Sequence, residues 1–278
     1  MKMLMAHHYI KISPKLDIYM QVHPFSYYKN MIIKNNLHFI KLNHVYFELL
    51  YWLKNKHTKM EASEMLRVHD ETLNLDVENI IKNIEKTSII LGVSNVLHVY
   101  DLKLGNKTFR DLDYQNAEVI KDTVPPNYVP HSALIWKYFC LTNELSEFFK
   151  EIKDYSIVVV GMDHLKELNS IFPNMKHYAL TFESCTVENR EKHLYELYNL
   201  INDGKKNIVL FQAGEPYSTW LIYKLSFELK IKNCSLIDMG RALDYFCPNR
   251  KMIESDKKKS EGLLHDFSNQ RWMNLKFK

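Results

Sequence analysis

Residues 207–240 read NIVLFQAGEPYSTWLIYKLSFELKIKNCSLIDMG. The segment opens with an apolar run over residues 207–211, turns at a corner that contains Gly214, and continues with apolar residues at helical spacing. A second apolar run then ends at Asp238. A strand, a helix and a strand at this spacing predict a right-handed crossover between two parallel strands.

Two further apolar runs precede this unit and end in the same way. Residues 156–160 read SIVVV before Gly161, and residues 177–182 read HYALTF before Glu183, with helical patterns in the gaps. We therefore predict an α/β fold, built on a Rossmann-like parallel sheet with helices on both faces. The corners at the carboxyl ends of such strands lie along one rim, which is where ligands of open α/β sheets bind.

The first 127 residues have a different pattern, which predicts an α+β region that contains strands. Residues 9–12 and 16–20 flank one turn signal, and residues 31–33 and 37–40 flank another. Each pair has the apolar character of strands joined by a short turn. We predict two hairpins or one meander here.

Helices are expected to begin at Asn43 and Asp76, and strands are expected over residues 88–91 and 96–104. The segment TVPPNYVP at residues 123–130 cannot be helical, because proline lacks the backbone donor and restricts the residue before it. This segment is our candidate boundary. It divides an N-terminal α+β region, residues 1–127, from a Rossmann-like region, residues 128–278.

Composition places the chain among globular proteins and disfavours several classes. The 278 residues are 46% hydrophobic and 25% charged, with a net charge of +4, which permits an anionic substrate but does not indicate nucleic-acid binding. The 4 cysteines have no C-x-x-C spacing, so a structural zinc site is disfavoured. No apolar run approaches the roughly 20 residues of a membrane helix. We expect a cytoplasmic protein.

Several familiar nucleotide and hydrolase motifs are missing from the sequence. No G-x-G-x-x-G follows a strand, which disfavours a standard NAD or FAD site, and no P-loop motif occurs, which disfavours an ATPase or kinase of that type. The motifs H-E-x-x-H and G-x-S-x-G are missing as well. The rim therefore needs another kind of ligand.

The corner at residues 212–219 is the sharpest positive signal. Gly214 allows the backbone to approach a ligand closely, and Pro216 and Ser218 suit the start of a helix. The first turn of that helix, which includes Glu215 and Tyr217, would present free N–H groups to a phosphate. The alternative is an ordinary strand-to-helix turn with a capping serine.

The next corner groups charged side chains around Gly240. Asp238, Arg241 and Asp244 supply two carboxylates and a guanidinium within seven residues. Asp238 can bind a sugar hydroxyl, a ribose or a metal, and Arg241 can pair with a phosphate. The alternative is an Asp–Arg ion pair that closes the edge of the sheet.

A histidine follows the earliest of these corners. His164 comes three residues after Gly161 and is a candidate ligand contact. A solvent-facing histidine in a first helical turn is the alternative.

Residues 207–245 resemble the GT-D-type glycosyltransferases, a Rossmann-like class that acts with nucleotide-sugar donors. In that class a strand ends in Gly-Pro before a helix, and a later strand ends in Asp-Ile-Gly-His. Here Glu215 separates Gly214 from Pro216, and Arg241 stands in place of the histidine. The strand that ends at Gly161 fits as well, and the resemblance covers roughly residues 128–246.

The resemblance implies a nucleotide-sugar donor that is held by the region from residue 128 onward. A UDP-sugar is the first candidate. Donor contacts would then come from the corners described above; these residues are Gly161, His164, Gly214, Glu215, Tyr217, Ser218, Gly240 and Arg241. Asp238 or Asp244 would orient the sugar or act as the base. Arg241 would offset charge on the leaving diphosphate.

One part of the family pattern is missing. The family has a strand that leads into Gly-Asp-Gly-Glu, whose D-x-E carboxylates serve metal-dependent catalysis, whereas residues 92–95 read GVSN here. Asp76 and Glu78 supply the letters, but on a regular helix carboxylates two residues apart point in different directions.

Three options follow from this departure: metal-independent chemistry, carboxylates supplied by other residues, or a chain that is not a transferase. The other carboxylates would come from Asp101, Asp111 or Asp113.

We expect glycosyl transfer from a nucleotide sugar to an acceptor that the sequence does not identify. Two alternatives stay open. The chain can be a non-catalytic nucleotide-binding or protein-interaction module on a degenerate transferase fold. It can also transfer a sugar onto nucleic acid, which Lys257–Lys259 and the Arg271-Trp272 tail would allow.

Overall fold

A computed structural model describes residues 8–11, 19–42, 46, 71–93 and 119–249 of the chain. Within these residues, nine strands form one sheet in the order β1-β2-β5-β4-β3-β9-β8-β6-β7. The strands are β1 His8–Lys11, β2 Tyr19–Val22, β3 His38–Leu42, β4 Ile89–Val93, β5 His131–Ser132, β6 Ser156–Gly161, β7 Lys176–Ala179, β8 Asn207–Gln212 and β9 Cys234–Asp238. All neighbours are parallel except β1 and β2.

The helices connect these strands. They are α1 Phe25–Lys34, α2 Glu71–Lys82, α3 Ile135–Leu141, α4 Glu144–Ile152, α5 Val187–Ile201 and α6 Glu215–Tyr223, which runs on into a wider π-type turn at Lys224–Glu228. Tighter 3₁₀ turns lie at Ile84–Lys86, Asp163–Ser170, Phe182–Ser184 and Gly240–Phe246. None of the helices in these ranges is long and apolar enough to cross a bilayer.

Helices cover both faces of the sheet, as predicted. Alternate residues of each strand point to opposite faces, and the strands divide their side chains between two hydrophobic cores. Val158 and Val160 of β6 lie in the core packed by α2, α5 and α6, whereas Ile157 and Val159 lie in the core packed by α1, α3 and α4. The chain therefore has the α/β Rossmann-like fold.

All four strands of the second half are confirmed, with ends within a few residues of the predicted ones. β6, β8 and β9 are short apolar runs, as expected of parallel strands whose two faces are both covered, whereas β7 at the edge of the sheet is only partly buried. The crossover of residues 207–240 is β8, α6 and β9, with β8 and β9 parallel and adjacent.

The N-terminal predictions are partly right. β1 and β2 pair antiparallel, as expected of the first pair of runs. The second hairpin is wrong, because residues 31–33 belong to α1 and β3 pairs in parallel with β4 and β9. In α1 the buried residues are Phe25, Tyr28 and Ile32. Their spacing is helical, so the free energy gained by burying these three side chains against the sheet outweighs the strand preference of residues 31–33.

The remaining N-terminal elements were predicted with mixed accuracy. The strand β4 is confirmed, and the helix expected from Asp76 exists but begins earlier, at Glu71. Residues 96–104 and most of the helix expected from Asn43 lie outside the described residues. Strands from residues 1–127 and from residues 128–278 share one sheet, and the boundary between the two regions stays a prediction.

Candidate functional site

The strand order creates a place where neighbouring strands lead in opposite directions. From β6 the chain continues to β7 at the edge of the sheet, whereas from β8 it continues to β9 on the other side. The loops after β6 and β8 therefore diverge at the carboxyl ends of the two strands, which is where open α/β sheets form the crevice that binds ligands. The turn Gly240–Phe246, which follows β9, packs back against β8 and the Asp163–Ser170 turn.

Four polar side chains meet at this crevice, and we call His164, Gln212, Arg241 and Asp244 the Asp244 cluster. The buried carboxylate of Asp244 accepts a hydrogen bond from Gln212 Nε2 at 2.6 Å and from Arg241 Nε at 3.2 Å. His164 Nε2 lies 3.0 Å from Asp244 Oδ1. Because an ionised carboxylate only accepts hydrogen bonds, this histidine nitrogen carries the proton.

The Asp244 cluster presents a cation to solvent and buries its carboxylate. Asp244 is almost fully buried, with 7% of its side chain exposed, whereas Arg241 is 51% exposed. The carboxylate therefore anchors the guanidinium while much of the Arg241 side chain faces solvent. A planar guanidinium fixed in this way suits a phosphate or carboxylate oxygen.

Gly161 is required where it stands. A Cβ atom added there would lie 2.5 Å from the backbone oxygen of Gln212 and 2.7 Å from Leu165 Cδ1, and the residue has a φ of +153°. The carbonyl of Gly161 also accepts a hydrogen bond from His177 Nε2 at 3.1 Å. Only glycine lets β6 turn this closely past the end of β8, which brings His164 to Asp244.

Helix α6 begins at the predicted corner. Gly214 adopts a φ of +89°, and its carbonyl accepts the first helical hydrogen bond, from the backbone of Ser218 at 2.9 Å. Glu215 is the first helical residue and Pro216 the second. The turn is therefore the expected helix N-terminus, which carries a partial positive charge.

Two of the predicted donor contacts lie in the protein core. Tyr217 is buried, and its hydroxyl is 2.6 Å from His193 Nδ1 of α5. Ser218 is fully buried as well. The side chains of these two residues are thus directed away from the surface of the rim, whereas the backbone of the turn stays near it.

Asp238 occupies a second polar place, at the carboxyl end of β9 next to β3. Its Oδ1 atom accepts a hydrogen bond from the backbone of Gly240 at 2.9 Å, and its Oδ2 atom is buried without a hydrogen-bond partner among the described residues. Burial raises the pKa of Asp238 to about 7, although the charge of Lys41 and the Gly240 hydrogen bond act in the opposite direction. Burial prevails because it disfavours the charged form.

Gly240 also fits its place. Its φ is +49°, and the Lys41 side chain packs against it, with Cδ and Cε 3.2 and 3.3 Å from where a Cβ would stand. A larger residue would displace the Lys41 ammonium as well as strain the backbone.

The carboxylates that could serve a metal do not come together among the described residues. Asp76 lies on α2 and forms an ion pair with Arg190 at 2.8 Å, whereas Glu78 pairs with Lys82 at 2.9 Å. The two carboxylates thus point apart, as predicted for a helix. Within the described ranges, no group of three or more His, Cys, Asp or Glu residues is placed to hold a metal ion.

The other candidate carboxylates lie outside the described residues; they are Asp101, Asp111 and Asp113. The arrangement of the described carboxylates therefore does not fit a metal ion.

The structure thus brings His164, Arg241 and Asp244 into one cluster and places Asp238 one strand farther along the rim. Sequence reasoning missed two participants. Gln212 is the last residue of β8, so its polar character at a strand end was a usable signal. Lys41 stands inside the buried strand HFIKL, where a lysine is unusual enough to indicate a role.

Comparison with known proteins bears on the fold. No protein-family model matches the chain, and no curated protein matches it in sequence. A solved structure of the highly conserved domain of unknown function 1792, which is described as having a distinct glycosyltransferase fold, matches with a TM-score of 0.51. The match covers 78% of this chain and 77% of that chain at 14% identity.

The chain therefore has a glycosyltransferase-like fold, with a polar cluster at the carboxyl ends of its parallel strands. At this identity the match establishes the fold alone.

Proposed function

We propose that the chain is a glycosyltransferase of the GT-D type that takes a nucleotide sugar, a UDP-sugar before others, as donor. The observation that carries the proposal is the Asp244 cluster, which stands at the strand-end crevice of a glycosyltransferase-like fold. A nucleotide sugar has an anionic diphosphate and several hydroxyl groups, and the cluster offers a matching partner to each.

The diphosphate would bind at Arg241 and the N-terminal turn of α6. Arg241 is held by Asp244 and is half-exposed, so its fixed charge can meet a phosphate oxygen with little loss of side-chain entropy. Helix α6 begins directly after Gly214, and helix N-termini bind phosphates through free N–H groups. These two groups would also stabilise the charge that develops on the leaving nucleotide.

The sugar hydroxyls have a candidate partner in Gln212. Its amide nitrogen is bound to Asp244, whereas its amide oxygen Oε1 is buried and has no hydrogen-bond partner among the described residues. A buried acceptor without a donor costs about 1–3 kcal/mol. A ligand hydroxyl would remove this cost, which favours a polyhydroxylated ligand over a bare phosphate.

Asp238 and Asp244 would divide the carboxylate roles. Asp244 is surrounded by donors and holds the other side chains of the cluster in place. Asp238 keeps an oxygen atom without a partner among the described residues and has a pKa raised to about 7, which suits a general base. We therefore assign proton transfer to Asp238 and positioning to Asp244.

Thermal unfolding in the presence of nucleotides and nucleotide sugars tests the proposal. At 100 times its dissociation constant a ligand stabilises by about 2.7 kcal/mol. For a chain of this size that corresponds to a rise in Tm of roughly 5–10 °C. Stabilisation by UDP and by at least one UDP-sugar would support the proposal if it is reduced in Arg241→Ala. The control is Lys153→Ala, at an exposed lysine after α4, which should keep the stabilisation. No shift with any nucleotide or nucleotide sugar at millimolar concentration would contradict it.

A second candidate is a nucleotide-binding module without transferase activity. The observation that favours it is the ion pair of Asp76 with Arg190, which leaves the D-x-E carboxylates of α2 without a catalytic arrangement. Binding of UDP without any turnover of UDP-sugars would select this candidate. The residues that would serve a nucleic-acid acceptor, Lys257–Lys259, Arg271 and Trp272, lie outside the described residues.

A further inference from the structure

Lys41 is a buried cation at the rim, and the proposed donor site does not use it. It is the fourth residue of the five-residue strand β3, near the carboxyl end, and only 9% of it is exposed. Its ammonium group lies against Gly240, two residues after the end of β9. The cation therefore stands between the carboxyl ends of β3 and β9.

The carboxylate of Asp238 shares this place. Among the described residues, Lys41 is the charged side chain whose positive charge lowers the pKa of Asp238. Taking an ammonium or a carboxylate out of water costs several kcal/mol per ion, and two buried charges are retained only with good mutual geometry and further hydrogen bonds. Here one carboxylate oxygen, Oδ2 of Asp238, has no such bond from the described residues. The hydrogen bonding of this charge pair is therefore complete only when another group donates to Asp238 Oδ2.

A neutral group that both donates and accepts hydrogen bonds fits best. An anionic group would be repelled by Asp238, and a cationic group would be repelled by Lys41. A hydroxyl can donate its proton to Oδ2 while its oxygen accepts a hydrogen bond from the Lys41 ammonium.

We propose that Lys41 and Asp238 form the subsite for the acceptor hydroxyl of the transfer reaction. Asp238 Oδ2 receives the hydroxyl proton, and Lys41 binds the hydroxyl oxygen and stabilises the negative charge that develops on it. This inference rests on the proposed transferase function.

The step balances without a further reactant. A new bond forms between the acceptor oxygen and the anomeric carbon of the donor sugar. The bond from that carbon to the diphosphate oxygen breaks, and its electron pair leaves with the nucleoside diphosphate. The hydroxyl proton passes to Asp238 and then to solvent. Lys41 keeps its protons throughout.

The position of this subsite relative to the donor site is consistent with transfer between them. β8 and β9 are adjacent and parallel, with Phe211 in register with Asp238. Neighbouring strands lie about 4.8 Å apart. One turn, Gly240–Phe246, begins beside Asp238 and carries Arg241 and Asp244 of the donor site. Donor and acceptor would therefore bind beside the same short segment.

Water can take the place of the unidentified acceptor, so slow hydrolysis of UDP-sugars tests the subsite. UDP-glucose, UDP-galactose and UDP-N-acetylglucosamine are incubated with the full chain, and release of UDP is measured from pH 5 to pH 9. The dissociation constant of UDP is measured in parallel for each variant by calorimetry. The variants are Lys41→Met, Lys41→Arg and Asp238→Asn, with Lys153→Met as the matched surface control.

We expect Asp238→Asn to lose roughly 100-fold or more in hydrolysis, the contribution of a general base. Lys41→Met should lose on the order of 10-fold or more, with a UDP dissociation constant within about two-fold of the wild type. Lys41→Arg should recover much of the rate, because the positive charge is kept. In Lys41→Met the midpoint of the pH–rate profile should move upward, because the charge that lowers the pKa of Asp238 is removed. An unchanged midpoint would show that the charge of Lys41 does not act on the base.

The outcomes separate this inference from the proposed function. If UDP does not bind to the wild type at all, the proposed function fails, and the subsite fails with it. If UDP binds but Asp238→Asn and Lys41→Met hydrolyse UDP-sugars as fast as the wild type, the donor site stands and the subsite is overturned. Binding of UDP with no hydrolysis of any sugar in the panel also overturns it. Should Lys41→Met not fold, Asp238→Asn, which keeps the shape of the side chain, decides the question.

Discussion

Substitution of Gly161 tests the geometry on which the crevice depends. A Cβ atom at this position would lie 2.5 Å from the backbone oxygen of Gln212 and 2.7 Å from Leu165 Cδ1. The Leu165 side chain can move, but the Gln212 oxygen belongs to the neighbouring strand β8 and cannot move without breaking the register. Gly161→Ala is therefore expected to strain the sheet as well as the local backbone.

The magnitude follows from two effects. A side chain forced into the unfavourable φ region costs roughly 1–2 kcal/mol, and an overpacked core position costs roughly 1–3 kcal/mol more. We expect Gly161→Ala to lower the free energy of unfolding by about 2–5 kcal/mol. Urea denaturation followed by circular dichroism measures this value from the midpoint and slope.

Gly204 provides the matched control. It has a φ of +75°, and a Cβ atom there would have nothing within 4 Å. Gly204→Ala should therefore show the backbone effect alone, roughly 1–2 kcal/mol. Equal destabilisation of the two variants, or a Gly161→Ala variant as stable as the wild type, would refute the close approach of β6 and β8 that the structure shows.

Three further predictions concern the carboxylates. Asp244→Ala should lower the free energy of unfolding by about 1–3 kcal/mol for each buried donor that loses its partner, of which Gln212 Nε2 is the first. The same substitution should weaken UDP binding. An unchanged urea midpoint would count against the hydrogen bonds of the Asp244 cluster. Asp238 has a pKa raised to about 7, so the folded state holds its proton more tightly than the unfolded state; its contribution to stability is present at pH 4 and is lost as the pH rises to 7, by up to about 4 kcal/mol. Asp238→Asn should consequently be more stable than the wild type at pH 8 but not at pH 4, and urea midpoints that differ equally at both values would contradict the raised pKa. Asp76→Asn should cost no more than about 1 kcal/mol, since the pair with Arg190 is partly exposed, and should leave UDP-sugar turnover unchanged; a large loss of turnover would show that the D-x-E carboxylates are catalytic.

Three strands of the second half, β6, β8 and β9, were predictable because they are short and apolar and end at polar corners. Residues 156–160 and 207–211 become β6 and β8, parallel and in register from Ser156 with Asn207 onward. A period-2 pattern is not needed in such strands, since both faces are buried. The apolar run alone was therefore enough.

The N-terminal half was harder to predict for a physical reason. The run Met31-Ile32-Ile33 has strand composition, but it lies in α1, where Ile32 joins Phe25 and Tyr28 on the buried side. Short apolar runs do not distinguish a strand from a buried helix. The tertiary contacts with the sheet decide, and these are not visible in the local sequence.

Sequence reasoning identified most of the Asp244 cluster but not how its members meet. His164 and Asp244 are 80 residues apart and come within 3.0 Å only because β6, β8 and β9 are neighbours. Tyr217 and Ser218 were chosen for their place after Gly214, yet the helix turns their side chains into the core. The sequence does not reveal Lys41, because the pattern of residues 37–40 predicts a hairpin strand, whereas β3 is in fact a parallel neighbour of β9.

Calorimetric titration of UDP into the full chain shows whether the strand-end crevice binds a nucleotide. We expect saturable binding to the wild type and to Lys153→Ala. Arg241→Ala should bind at least about 10-fold more weakly, which corresponds to about 1.4 kcal/mol for the lost charge-assisted contact. Equal affinity of wild type and Arg241→Ala, or no binding of UDP to any of them at millimolar concentration, would contradict the assignment of the strand-end crevice as a nucleotide-sugar site.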